Sequence, residues 1–228
     1  MSQNKNSSRF AVLSCFNFKN TAAIIYFEFK GTSLSRQNFR VIKPEIRVLG
    51  IDDGKFIPRT RGNAIVVGVV FRGGISIEGI MHTHVAIDGL DATEKQAAMI
   101  NTSPHRRQLR LVMLNGITFA GFNVVDIEKL SAAVELPVLA LTRDKPDLDR
   151  IHEALKNLPN AEERWKMALE AGEIHEIQNN GVKVYVELAG ISLCNAEKII
   201  KLTSTRSCVP EPLLVAHLIA SGISSEHL

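Results

Sequence analysis

The sequence predicts an α/β protein: one mixed sheet covered by helices. Two observations carry this. Three apolar strand segments come first, joined by polar loops and turns, and two further strand segments then follow helical stretches. Antiparallel neighbours can be joined by tight turns, whereas parallel neighbours need a helical crossover. In addition, Asp52, Asp88, Asn115 and Arg143 stand just past four of these strands. The carboxyl ends of strands are where such sheets place their chemistry.

The elements follow in order. Val48, Leu49 and Ile51 predict a buried strand that delivers Asp52 and Asp53 directly before Gly54. Ala64 to Phe71 is β-branched and apolar on both faces, which predicts a second, fully buried strand. Arg72-Gly-Gly74 predicts a hairpin turn, and Ile75 to Ile87 a third strand whose alternation fades along its length. A helix follows, with Asp91 as N-cap and Glu94 three positions on, the spacing of a capping box. Leu109–Leu114 predicts a fourth strand, ending at Asn115-Gly116. The Ile117–Phe122 loop leads into a helix carrying Val124, Ile127 and Leu130, and Pro137–Thr142 is a fifth strand. Helices are predicted over about 147–158 and 161–171, a polar hairpin over 173–187 turning at Asn179-Asn-Gly181, and a helix over 192–203. Pro210-Glu-Pro212 opens a final helix, because proline is favoured in a first turn.

Composition bounds the function class. Residues 1–45 hold seven basic and two acidic residues, a net of +5, while the rest holds 20 basic and 22 acidic, a net of −2. The main body is therefore not basic, and overall charge is weak evidence for nucleic acid. Cys15, Cys194 and Cys208 are scattered and odd in number, which predicts reduced thiols and a cytoplasmic setting. Asn17, Lys19 and Asn20 interrupt the most apolar stretch, Phe10 to Phe29, so neither a membrane span nor a signal peptide is expected. Residues 1–40 are expected to form a poorly defined, mobile arm, its apolar patch either an extra strand or translated sequence upstream of a true start, ahead of a single domain over 41–228.

The leading constellation is acidic: Asp52, Asp53, Asp88 and Asp91, with Asn115 and Glu211 further on. Metal-assisted phosphodiester cleavage needs two or three carboxylates on one edge, holding one or two divalent ions ~3.5–4 Å apart. A hard cation such as Mg²⁺ favours oxygen ligands of this kind. Turn chemistry is the competing reading for Asp-Asp-Gly and for Asp88-Gly89, and the capping box competes for Asp91 and Glu94. Side chains alternate along a strand, so Asp52 and Asp53 face opposite ways unless the chain turns at Gly54. Arg59, Arg61, Arg72 and Arg143 are expected in loops on the same edge, facing phosphates. His82 and His84 share one strand face and are too few to signal zinc; His105-Arg106-Arg107 with Arg110 reads as a solvated basic loop. Ser103 and Cys208 lack a base at any recognisable spacing, which excludes nucleophilic catalysis, and no Gly-Lys-Ser/Thr follows Gly73-Gly74.

Four segments occur together and in order: Gly50-Ile-Asp-Asp-Gly54, Asp88-Gly-Leu-Asp-Ala-Thr93, Asn115-Gly-Ile-Thr-Phe-Ala-Gly-Phe-Asn-Val-Val-Asp126 and Pro210-Glu-Pro-Leu-Leu-Val-Ala-His217. Over about residues 41–224 the chain resembles an archaeal family of uncharacterised, endonuclease dU-like proteins related to endonuclease V. The resemblance implies a ribonuclease H-like fold and Mg²⁺- or Mn²⁺-dependent nicking of DNA or RNA near deaminated bases, in repair. Asp52 matches endonuclease V's first metal aspartate, and Asp88 or Asp91 its acidic residue before the first helix. Asn115 stands where endonuclease V has an aspartate, Arg143 where it has a lysine, and Leu214 where it has an arginine; its late aspartate has no clear counterpart near Gly190–Asn195. The implied metal set is Asp52, Asp88, Asp91 and Asn115, with Asp53 and Arg143 beside it as catalytic candidates. The departures at Asn115 and Leu214 favour a rival, a nucleic-acid-binding protein without catalysis; a scaffolding protein is the third reading.

Overall fold

A computed structural model describes residues 39 and 41–224. The expectations for the amino-terminal arm and for its apolar stretch fall outside these residues. Among the described residues, no helix is long and apolar enough to cross a membrane.

A seven-stranded sheet is formed by β1 (Arg47–Asp53), β2 (Asn63–Arg72), β3 (Ser76–Ala86), β4 (Leu111–Asn115), β7 (Val138–Thr142), β8 (His175–Asn179) and β9 (Val182–Ala189). A separate two-stranded ribbon pairs β5 (Thr118–Phe119) with β6 (Asn123–Val124). The strand order is β3-β2-β1-β4-β7-β9-β8. The first three strands pair antiparallel, β1-β4 and β4-β7 pair parallel, and the hairpin β8-β9 adds antiparallel to β7. The mixed sheet expected from the sequence is thus present, with the hairpin as its far edge.

Strand alternation splits the core into two layers. Leu49, Ile51, Val66, Val70, Val112, Leu114, Val138 and Ala140 face one side. There α1 (Ala92–Thr102) lies against β3 and α2 (Ile127–Val134) against β7 and β9. Val48, Leu111, Met113, Leu139, Leu141, Val184 and Val186 face the other side, together with Val67 and Val69. There α5 (Leu193–Thr203) lies against β8, and α6 (Glu211–Ser224) lies along β1, β2 and β4. Gly50 permits that approach, because a Cβ there would overlap the backbone of Pro212. The remaining helices, α3 (Leu148–Leu155) and α4 (Ala161–Glu170), pack on each other, and α4 touches β6.

Three local expectations change. Val124 belongs to the β5-β6 ribbon rather than to a helix, and α2 starts after Asp126, whose side chain accepts from Lys129 N. The capping box at α1 does not form: Asp91 makes no side-chain cap bond, and Glu94 pairs with Lys129 instead. The α1 amide of Ala92 donates to Asn123 Oδ1 at 3.0 Å, so a residue from a distant loop takes the cap's place. Arg72 lies opposite Arg47 at the start of β1, the end of the sheet away from Asp52, and pairs with Glu78. Antiparallel strands alternate their turns between the two sheet ends, so the turn at Gly73-Gly74 returns the chain to the far end.

Candidate active site

The last two residues of β1 divide two surroundings between them. Asp52 follows Val48 and Gly50 on the α6 side, and Asp53 follows Leu49 and Ile51 on the α1-α2 side. Asp52 is only 3% exposed. Its Oδ2 accepts from Asn115 Nδ2 at 3.1 Å and lies 2.8 Å from His217 Nδ1, while its Oδ1 accepts from Asp53 N at 2.9 Å. Asn115 ends β4, the parallel neighbour of β1, and has the same parity as Leu111 and Met113, so its amide meets Asp52 on the α6 side. A carboxylate only accepts, so it is the amide nitrogen that turns toward it. The His217 side chain is 59% exposed and connects the buried carboxylate with solvent. Burial pushes the Asp52 pKa up, and the hydrogen bonds from Asn115 and His217 pull it back.

Asp53 turns the other way. Its Oδ2 accepts from the amide of Ala120 at 2.6 Å, and burial, opposed by that bond, raises its pKa to about 6. Asp88 N donates to Ala120 O at 2.9 Å, and Asp88 Oδ1 accepts from Phe122 N at 2.9 Å. Gly121 lies between them with φ of +91°, and a side chain there would strike the Asp88 carboxylate. Asp91 Oδ1 accepts from Ala86 N and from the Asn123 amide. The buried Arg164 of α4 donates to the carbonyls of Pro159, Gly89, Asp88 and Phe122. Asp53, Asp88 and Asp91 are therefore the supports of one loop, residues 117–124.

The predicted four-ligand set is not brought together. Asp88 is engaged by the Phe122 amide and Asp91 by the Ala86 amide and the Asn123 side chain, and among the described residues no three His, Cys, Asp or Glu side chains converge as a metal site would require. Glu211 is held by Thr205 Oγ1 at 2.7 Å and faces Arg206, at the opposite end of α6 from Ser224, which meets Lys55 beyond β1. The acids that converge in sequence do not converge in space; Asp52 gathers an amide and an imidazole instead. Arg59 and Arg61 lie exposed in the β1-β2 loop, and Arg143 lies exposed just after β7, all at the Asp52 end of the sheet.

Two residues escaped sequence reasoning. His217 borders the buried stripe of α6 made by Leu213, Ala216 and Ala220, and an imidazole at helical spacing beside such a stripe is the signal that could have found it. Glu187 is 6% exposed on β9, because the hairpin read as polar packs against β7 and becomes an interior strand. Burial alone raises its pKa to about 7.

The donor set suits a loosely held divalent ion: one carboxylate, one imidazole, and an amide carbonyl that Asn115 leaves unused toward Asp52. Mg²⁺ is commonly bound through one or two carboxylates, with water and substrate phosphate completing its shell.

The chain matches the endonuclease dU family over residues 44–224. A UPF0215 protein of Methanosarcina mazei is 50% identical over 185 residues, 80% of this chain and 93% of that protein. One of Methanothermobacter thermautotrophicus is 47% identical, over 84% of this chain and 94% of that protein. The crystal structure of a protein of unknown function from Archaeoglobus fulgidus shares 41% identity with a TM-score of 0.71, over 78% of this chain and 97% of that one. Ciona intestinalis endonuclease V, solved with inosine-containing DNA, shares 14% identity with a TM-score of 0.55, over 80% of this chain and 87% of that one. At that identity the likeness is one of fold, the ribonuclease H-like fold. The chain belongs to the endonuclease dU family.

Proposed function

We propose that the protein is a divalent-metal-dependent endonuclease acting on deaminated, uracil- or inosine-containing DNA or RNA in cytoplasmic repair. The observation that carries this reading is the buried Asp52 carboxylate, held by Asn115 and linked to solvent by His217. Buried carboxylates persist when paired or when they coordinate metal. The inosine-containing DNA of the distant Ciona structure supports the choice of substrate. Asp52 and His217 would hold Mg²⁺ or Mn²⁺, which supplies water activation and stabilises the leaving oxygen. Asn115 fixes the orientation of the Asp52 carboxylate, and Arg59, Arg61 and Arg143 meet the phosphates. Asp53, Asp88 and Asp91 position the neighbouring loop.

The test is nicking of single-deoxyuridine and single-inosine strands with Mg²⁺ or Mn²⁺. Parent activity that disappears in Asp52→Asn and in His217→Ala supports the enzyme. Binding without nicking in the parent favours the catalytically inactive nucleic-acid-binding protein. That second reading draws on one observation: the described residues gather a single carboxylate where the endonuclease reading began from three.

A further inference from the structure

A cavity of about 450 Å³ opens between the sheet, the β5-β6 ribbon and α3-α4. Its walls include Ile117, Val124, Leu148 and Ile151, and Asn115 lies at its edge. Asn115 thus borders the cavity while its amide holds Asp52, which puts the cavity beside the candidate active site. Two carboxyls belong to the lining, the exposed Asp144 in the loop after β7 and the buried Glu187 on β9. Glu187 is paired in register with Ala140 of β7, one position deeper than Leu141, the partner of Asn115. Cavities of this size, mostly apolar with a few polar groups, are the usual form of a small-ligand site.

The charged groups around it leave Glu187 alone. Arg143, Asp144 and Lys145 line the cavity from the loop after β7. Tyr185 lies on β9 two positions before Glu187, and His175 of β8 pairs in register with Val186. Desolvation is the single cause that raises its pKa to about 7, with no charged neighbour contributing. A carboxylic acid near neutrality holds one O–H donor beside one carbonyl acceptor, whereas the carboxylate has only acceptors.

The geometry points to this cavity as the seat of one unstacked nucleobase, with Glu187 as the residue that reads a lactam edge, the adjacent N–H and C=O of uracil or hypoxanthine. The assignment rests on the endonuclease reading for the origin of the base, but not for its test. Enzymes that act on single bases extrude them into a pocket and read the Watson–Crick edge between apolar walls. The acid O–H donates to the lactam carbonyl, and the acid carbonyl accepts from the lactam N–H. Ionisation removes the donor and sets a carboxylate against the lactam oxygen, so binding weakens as pH rises.

The experiment titrates free uracil and hypoxanthine into the intact protein, followed by protein-observed NMR at about pH 6 and about pH 8. 1,3-Dimethyluracil and 1-methylhypoxanthine, which lack any lactam N–H, serve as controls. The expected result is binding that is stronger at the lower pH and lost on N-methylation. Glu187→Ala weakens it roughly tenfold or more, and Glu187→Gln, which keeps a donor and an acceptor at every pH, retains it and removes the pH dependence. Binding that ignores N-methylation or Glu187, binding that strengthens with pH, or no binding at all overturns the assignment. The two readings separate cleanly. A protein that nicks nothing but binds bases in this pattern keeps the cavity and loses the endonuclease; one that nicks but binds no base loses the cavity alone.

Discussion

Asp52 and Asp53 are neighbours in sequence with the same side chain, yet they sit in different chemical settings. Asp53 gives an oxygen to a backbone amide of the 117–124 loop. Asp52 meets only side chains from other elements at its outer oxygen, and one of them, His217, reaches solvent. A carboxylate bonded to the main chain of a distant loop is committed to holding that loop in place. One bonded to an amide and an imidazole can exchange partners without unfolding anything. Proximity in sequence therefore says little about shared chemistry at a strand end, where alternation sends consecutive residues to opposite layers.

The sharpest way to break this comparison is activity. Asp52→Asn is expected to reduce nicking to background with the fold intact, because the charged ligand is lost while hydrogen-bonding capacity remains. Asp53→Asn is expected to keep most activity, since an amide oxygen still accepts from Ala120 N. Parallel assays on uracil- and inosine-containing strands decide it; equal loss in both variants would make the two aspartates one catalytic unit.

The next largest effect belongs to the support under the Asp53 side. Arg164 donates to four carbonyls, those of Pro159, Gly89, Asp88 and Phe122. Arg164→Met fills the space but leaves these acceptors unpaired, and is expected to destabilise by about 3–5 kcal/mol. Chemical denaturation measures it. A loss below about 1 kcal/mol would mean that water replaces the guanidinium and the loop stands without it.

A third test uses pH. Asp53 has a folded pKa of about 6 against an ordinary value of 3.8, so the folded state binds the extra proton between those values. Stability from this group is therefore greatest at low pH and falls as pH rises from about 4 to about 6. Asp53→Asn should remove that slope and raise stability at neutral pH by about 1–3 kcal/mol. Melting curves across pH for parent and variant report it, and an unchanged slope assigns the titration elsewhere.

Asn115→Asp sharpens the Asp52 side. It sets a second carboxylate 3.1 Å from the first in place of a donor. Without a divalent ion the like charges lower the melting temperature; with Mg²⁺ or Mn²⁺ the added charge tightens the ion, and the melting temperature rises by more than in the parent. Equal metal-induced shifts in both proteins would remove Asn115 from the metal's surroundings.

How much of this was legible follows from what each inference required. The strands were readable because β-branched runs and periodicity are local, and the opposite facing of Asp52 and Asp53 follows from alternation alone. The assembly of Asp88, Asp91 and Asn123 around the 117–124 loop was not, because the partners lie more than 30 residues apart: the Phe122 main-chain amide donates to Asp88 and the Asn123 side-chain amide to Asp91. Arg164 is flanked by Glu162, Glu163 and Lys166 and so reads as one more charge on a solvated face. The misplacement of Arg72 is different in kind: counting strand directions would have sent it to the far end. The fold reading survived these errors because it depended on order and period, whereas the site reading depended on which oxygen each acid had left.

Arg72 then becomes an internal control for the smallest effect. Arg59, Arg61 and Arg143 lie at the Asp52 end of the sheet, while Arg72 lies at the other end with Glu78 as its partner at 3.1 Å. Each side chain that neutralises a phosphate releases counterions, so the slope of log affinity against log salt changes by roughly 0.7–0.9 per contact. Arg59→Ala, Arg61→Ala and Arg143→Ala are each expected to flatten the slope by about one contact, with similar loss on every sequence. Arg72→Ala is expected to leave it unchanged, because its charge is already engaged and lies away from the bound strand. The measurement is fluorescence anisotropy of a labelled strand over a salt series. If Arg72→Ala flattens the slope and the other three do not, the strand lies across the opposite end of the sheet, where Lys43, Arg107 and Arg110 line a groove, and Asp52 would not face it.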